Sequence, residues 1–194
     1  MKKLAAVLMC AVLMVSGTFA IGLSAGLGGQ FDLTFLSEEL GSDKETYAGS
    51  YFGAYGFVDL TYLEFDIGVL FGSTDFYTLD FTFMNLGLYA KYPFKLGFIT
   101  LAPMIGIDYQ ITLALDPEPY GYSKADFNTL WVKLGAQLDI NLGRLFIRGT
   151  ALFGIETKNV IESDLLDYAS LLGVDYGIFK SGLDFKAAIG YRFL

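Results

Sequence analysis

Apolar and polar residues alternate one for one along much of this chain. In "SGLDFKAAIGYRFL", Leu183, Phe185, Ala187, Ile189, Tyr191 and Phe193 share one parity, while Gly182, Asp184, Lys186, Ala188, Gly190 and Arg192 share the other. A strand sends successive side chains to opposite faces, so this segment has one greasy face and one charged, glycine-rich face. The pattern recurs. Ile21, Leu23, Ala25, Leu27, Phe31 and Leu33 oppose Gly22, Ser24, Gly26, Gly28, Gln30 and Asp32. Leu63, Phe65, Ile67, Val69 and Phe71 oppose Glu64, Asp66, Gly68, Leu70 and Gly72. Ile99, Leu101, Ile105, Ile107, Tyr109 and Ile111 oppose Thr100, Ala102, Gly106, Asp108 and Gln110. Leu130, Val132, Leu134, Ala136, Leu138 and Ile140 oppose Lys133, Gly135, Gln137, Asp139 and Asn141. Leu145, Ile147, Ala151, Phe153 and Ile155 oppose Arg148, Thr150, Gly154 and Glu156. Each run is about 10–13 residues, the length a tilted strand needs to cross hydrocarbon.

Two further strands are less regular. Residues 50–60, "SYFGAYGFVDL", carry aromatics on both parities and their faces stay open. Residues 81–92 are clear only at the later end, where Met84, Leu86, Leu88 and Ala90 oppose Asn85, Gly87, Tyr89 and Lys91. Eight strands are therefore predicted. Their connections alternate: a long polar loop over 34–49, a tight turn at 59–62, a medium loop at 72–78 and a tight turn at "YPFKLG". A long loop over 113–127, a tight turn at "NLGR" and the longest loop, 157–181, follow. Short turns on one side and long loops on the other predict an all-β, closed, eight-stranded antiparallel up-and-down transmembrane barrel. Pro103 lies mid-strand without an N–H to donate and is expected to mark a bulge.

Alternation alone fits a soluble, lipocalin-like ligand-binding barrel equally well, with its greasy face inside. Glycine placement separates the two. Gly26, Gly28, Gly68, Gly87, Gly106, Gly135, Gly154, Gly182 and Gly190 all fall on the polar parity. Glycine weakens a strand and marks close approach. A water-facing surface has no use for it, whereas an eight-stranded lumen is only just wide enough for side chains to fill. The polar face also carries acids and bases in nearly matched numbers: Asp32, Glu64, Asp66, Asp108, Asp139, Glu156 and Asp184 against Lys91, Lys133, Arg148, Lys186 and Arg192. These are expected to pair across the lumen, because an unpaired buried charge costs several kcal/mol. Tyr92, Phe94, Tyr191 and Phe193 are expected at the periplasmic rim, and Tyr109, Tyr120 and Tyr122 towards the outer one.

Composition adds compartment. Mean hydropathy is +0.48, yet the only uncharged run of helix-spanning length is N-terminal. There, Lys2 and Lys3 precede an apolar stretch and the small residues up to Ala20, the pattern of a cleaved secretory signal peptide over 1–20. The barrel domain is then 21–194. Cys10, the chain's one cysteine, falls in the leader, and Met9 before it does not suit a lipoprotein site. The mature chain has no thiol chemistry. Setting aside Lys2 and Lys3 from the 13 basic residues leaves 11 against 21 acids, a net charge of −10. That disfavours a nucleic-acid partner. There is no histidine, hence no imidazole metal site and no usual general base; no catalytic, cofactor-binding or metal residue is assigned.

The closing residues "GYRFL" resemble the C-terminal assembly signal of outer-membrane barrels. Gly190, Tyr191 and Phe193 match it, and Leu194 departs from it because the aromatic is penultimate. The mature chain resembles the small OmpA/OmpX/OmpW-type barrels, and "LGLYAKYPFKLGFITLAPMIGIDYQ" is similar to small barrel proteins of spirochaetes. The resemblance implies the outer membrane of a diderm bacterium, with membrane lipid and the barrel-assembly machinery as partners. It implies a structural or surface-interaction role through long external loops, with a small-solute or hydrophobic-compound channel of OmpW type as the alternative. Barrel enzymes of similar fold, lipid A acyltransferases and deacylases, use a histidine that this chain lacks. The last loop predicts a short amphipathic helix: Asn159 and Glu162 suit a capping box, and Leu165, Tyr168 and Leu172 recur with Ile161 at helical spacing. Acidic loops (Glu38, Glu39, Asp43 and Glu45; Glu162, Asp164, Asp167 and Asp175) could gather cations or a basic extracellular ligand, and equally keep the loops solvated.

Overall fold

The computed structural model describes residues 22–40, 43–74, 79–117, 123–157 and 176–193. The leader segment 1–20, Tyr120, Tyr122 and the loop-helix residues Asn159, Glu162, Leu165, Tyr168 and Leu172 lie outside the described residues. The strands are β1 (Ser24–Leu40), β2 (Asp43–Asp59), β3 (Leu63–Thr74), β4 (Leu79–Lys91), β5 (Phe94–Leu96), β6 (Ile99–Asp116), β7 (Thr129–Leu142), β8 (Leu145–Glu156) and β9 (Tyr176–Arg192). All pairings are antiparallel. β1 to β4 and β6 to β9 pair in chain order. The β4–β6 ladder and the β1–β9 ladder complete a ring of eight. β5 is β4 resumed after Tyr92–Pro93 in the same register against β6. The hairpin therefore turns at Gly97, whose φ of +67° suits glycine, later than the sequence alone placed the turn.

The greasy parity faces outward on every barrel strand. Leu27 is 76% exposed, Ile105 57% and Ile189 65%, while Asp32, Asp108, Lys133 and Lys186 on the other parity are buried. Hydrocarbon is the solvent that such a belt requires, and ring closure leaves no unpaired strand edge within it. The chain is a transmembrane β-barrel. Described aromatics at the short-turn rim fit an interfacial girdle: Tyr92, Phe94, Tyr191 and Phe193 all point outward.

Polarity inverts along the barrel axis. Towards the long-loop end the inward positions become apolar: Leu36, Tyr51, Leu70, Leu79, Phe81, Phe83, Leu115 and Phe127 are buried. Outward positions on the same stretches are Thr46, Ser50, Ser73, Asp80 and Asp116. That upper part of the barrel is greasy inside, and polar residues enter an outer face that still carries Phe35, Phe52, Phe71, Leu113 and Phe179.

Two expectations need correction. The stretch 34–49 is not an open loop: β1 and β2 stay paired from Ser24↔Asp59 to Leu40↔Asp43, and β9 pairs β1 as far as Tyr176. Its outward residues are polar because they meet water, which reads as a loop. Pro103 is not a bulge. Its carbonyl accepts the Tyr92 N–H at 3.1 Å, and the register runs unshifted through it, from Lys91↔Met104 to Phe94↔Leu101 on one side and at Pro103↔Ala136 on the other. The register shift lies instead opposite Thr82/Phe83. Leu113 is the extra residue there, which lets both Thr112 and Leu115 point inward. Above it, the 3-10 helix Lys124–Phe127 is tied to β6, because Thr112 N–H donates to Asn128 Oδ1 at 2.8 Å. The Ser123 N–H and hydroxyl both donate to the Asp126 carboxylate, at 2.7 and 2.8 Å, and hold its pKa below the usual range.

Ile105→Arg puts a cation on the outward face of β6 between Pro103 and Ile107. It is expected to cost about 2–4 kcal/mol near the bilayer midplane. Heat-modifiable gel migration should show a reduced folded fraction; wild-type assembly of this variant would mean that inside and outside are reversed.

Candidate functional site

The lumen is the chemically dense part of the molecule, and strand register builds it in two layers. The layer near the short turns centres on Arg148 of β8, 1% exposed. Its guanidinium reaches three carboxylates from three other strands: Asp59 at 2.7 Å, Glu64 at 2.6 Å and Asp139 at 2.9 Å. Lys91 of β4 grips Asp59 at 2.5 Å and Glu64 at 2.6 Å, and also donates to Gln137 at 3.1 Å. Arg192 donates to Asn141 and lies 3.7 Å from Asp139. Arg148 packs between the rings of Phe57 and Phe146, 4.1 and 4.9 Å from their centres. A guanidinium held by forked hydrogen bonds and ring faces is a bridge across the lumen, and lysine could not replace it in kind.

The second layer lies further up the axis. Lys133 of β7 contacts Asp108 at 2.5 Å and Asp184 at 3.0 Å. Lys186 of β9 contacts Asp66 at 2.6 Å and Asp184 at 3.4 Å. The Tyr89 hydroxyl donates to Asp108, and Asn85 donates to the same carboxylate at 3.2 Å. At the upper mouth, Glu156 pairs with Lys180 at 3.3 Å.

Of the twelve lumenal residues named from the sequence, eleven therefore take part in these contacts. Asp32 does not meet a cation: Gln30 donates to it at 2.9 Å, and among the described residues no base lies within ion-pair distance. Asp59 and Lys180 were missed. Asp59 ends a strand and opens a turn, where an acid reads as turn chemistry, and Lys180 lies in a stretch that reads as loop.

Aromatics fill the space the charges leave. Tyr51, Tyr55, Phe57, Tyr89, Trp131 and Phe146 point inward, which settles the faces of residues 50–60. Glycine makes room for them. A Cβ on Gly190 would lie 2.2 Å from the Phe146 ring, and one on Gly26 would lie 2.6 Å from the Phe57 ring. Gly190 of the candidate assembly signal is thus a lumenal clearance, while Tyr191 and Phe193 meet edge to face on the outside, their ring centres 5.2 Å apart. Trp131 donates to Gln110 at 2.9 Å in the wall of a narrow upper cup of about 60 Å³.

Among the described residues, no group of three or more His, Cys, Asp or Glu could hold a metal ion. Apart from Asp32, the lumenal charges named from the sequence pair with one another or, for Glu156, with Lys180.

No protein-family model and no curated protein sequence matches the chain. Among solved structures it is similar to Neisserial surface protein A, with 11% identity over 88% of this chain and 99% of that one and a TM-score of 0.45. It is similar to the attachment invasion locus protein Ail of Yersinia pestis, solved with the heparin analogue sucrose octasulfate, with 14% identity over 90% and 100% and a TM-score of 0.38. It is similar to the N-terminal β-barrel domain of Pseudomonas aeruginosa OprF, with 10% identity over 84% and 97% and a TM-score of 0.41. The fold stands on the strand pairing and not on these likenesses.

Arg148→Ala leaves Asp59, Glu64 and Asp139 with one buried cation, Lys91, in full contact. A loss of about 3–5 kcal/mol is expected, read as a lower urea midpoint in detergent or bilayers. An unchanged midpoint would show that the lumen is wet enough to screen these charges.

Proposed function

We propose that this chain is an integral outer-membrane protein of a diderm bacterium, exported by a cleaved leader and inserted by the barrel-assembly machinery. Its barrel is a non-conducting mount. Its work is done at the external end, where strands continue beyond the lipid. The observation that carries this reading is the Arg148 layer, in which side chains from β2, β3, β4, β7 and β8 meet across the lumen.

The external end has a feature suited to recognition. β2 pairs β3 only from Gly49 onward, and β9 pairs β8 only from Ser181 onward. Above those points β2, β1 and β9 continue as a three-stranded blade. Among the described residues, the outer edge of β2 over 43–48 has no neighbouring strand. An open edge can take an added strand from a partner, with main-chain hydrogen bonds supplying affinity. The charges of Lys44 and Glu45 on that edge work against indiscriminate pairing.

The purified chain in planar bilayers should give no discrete conductance steps. Reproducible single-channel steps from folded protein, abolished by heat denaturation, would favour the small-solute channel and overturn the mount.

A further inference from the structure

Charge is distributed very unevenly between the two ends. At the short-turn end, the charged side chains that meet water among the described residues are Lys95, Arg144 and Arg192, all basic. The acids of that end, Asp59, Glu64 and Asp139, are buried in ion pairs. At the other end acids and bases mix: Glu39, Glu45, Asp80 and Asp116 are exposed, and so are Lys44 and Lys124. A chain with 21 acids and 13 bases thus presents a wholly cationic rim on one side.

That rim encloses a recess of about 600 Å³ leading up to the Arg148 layer. Lys95, Lys91 and Arg192 line it, with Asp59 and Asp139 as its only acids among the described residues. Asp59 is taken by Lys91 and Arg148, and Asp139 by Arg148. Lys95 differs from the other two cations: it is exposed at the β5–β6 hairpin and has no carboxylate at ion-pair distance among the described residues. The walls are held firmly. Thr61 adopts a φ of 68° in the β2–β3 turn, and Gly22 N–H donates to its hydroxyl at 2.8 Å while Asp59 accepts its N–H at 2.9 Å. A preorganised recess with surplus cations at its mouth suits an oxyanion, with the Arg192 fork and the Lys95 ammonium as its donors.

We propose that the recess at the short-turn end binds a phosphate oxyanion, with Lys95 and Arg192 as the contacting cations. The phosphate belongs either to a soluble phosphorylated solute or to the headgroup of a neighbouring lipid. The test is calorimetric titration of the folded full chain with sodium phosphate at low ionic strength, in maltoside detergent free of phospholipid. A second arm repeats it in nanodiscs of phosphatidylcholine with and without phosphatidylglycerol. Saturable binding in detergent identifies a soluble solute. Binding seen only as lipid-dependent enrichment of phosphatidylglycerol around the folded chain identifies a headgroup. Lys95→Gln touches none of the ion pairs and should retain heat-modifiable folding while weakening the interaction about tenfold, the loss of one charge-assisted contact. Lys124→Gln, at the opposite end, should leave it unchanged. No saturable binding and no enrichment in either arm would overturn the proposal, and so would equal affinity in Lys95→Gln and the wild-type chain.

Discussion

Hydrocarbon gives a backbone amide nothing to bond to, and that constraint shapes the rest of the molecule. A sheet in lipid has to close on itself, because every N–H and C=O at an edge would otherwise go unpaired at several kcal/mol each. Closure with eight strands leaves an interior barely wider than its own side chains. The interior must be polar because the exterior is greasy, so its charges are forced into mutual contact. Arg148 meets Asp59, Glu64 and Asp139 because a tight ring brings the inward faces of β2, β3, β7 and β8 within side-chain reach of one another. The ion pairs are thus a consequence of closure.

The same logic explains the change of polarity along the axis. Within the lipid, Phe65, Ile67 and Val69 face outward and Glu64 and Asp66 inward. Beyond it, Tyr51, Phe81, Phe83 and Phe127 gather inward, with Phe81 and Phe83 stacked at 5.1 Å. One continuous barrel obeys two opposite solvation rules, and each strand switches rule where its environment changes. The upper cluster gathers inward side chains of β2, β3, β4, β6 and the 3-10 helix.

Much of this was legible in the sequence because a period of two is a strong signal wherever one face is uniform. Strands such as β3, β7 and β9 declare both faces residue by residue. The signal failed where both faces carried rings. Tyr51, Tyr55 and Phe57 face the lumen and Phe52 faces outward, with no change of chemistry to mark the difference. The key to them lies in other strands: Tyr55 stands between Gly28 and Gly68, and Phe57 beside Gly26. Only register reveals that. Likewise Asp59 looks like a turn residue until pairing brings it to Arg148, 89 positions away in the chain. The upper strands read as loop because, outside lipid, their outward positions need only be polar. Pro103 produces no bulge because it falls at Tyr92–Pro93, between the β4–β6 and β5–β6 ladders, where a missing donor interrupts the ladder without shifting its register.

The central claim, that the greasy parity faces lipid and the charged parity faces a dry lumen, is open to direct measurement. The one cysteine lies at position 10, ahead of the barrel, so single spin labels can be placed along β7 from residue 130 to 140 without background. Collision with dissolved oxygen, which concentrates in hydrocarbon, should rise and fall with a period of two. It should be high at Leu130, Val132, Leu134, Ala136, Leu138 and Ile140, and low at the residues between them. The opposite phase, or no alternation at all, would contradict the arrangement.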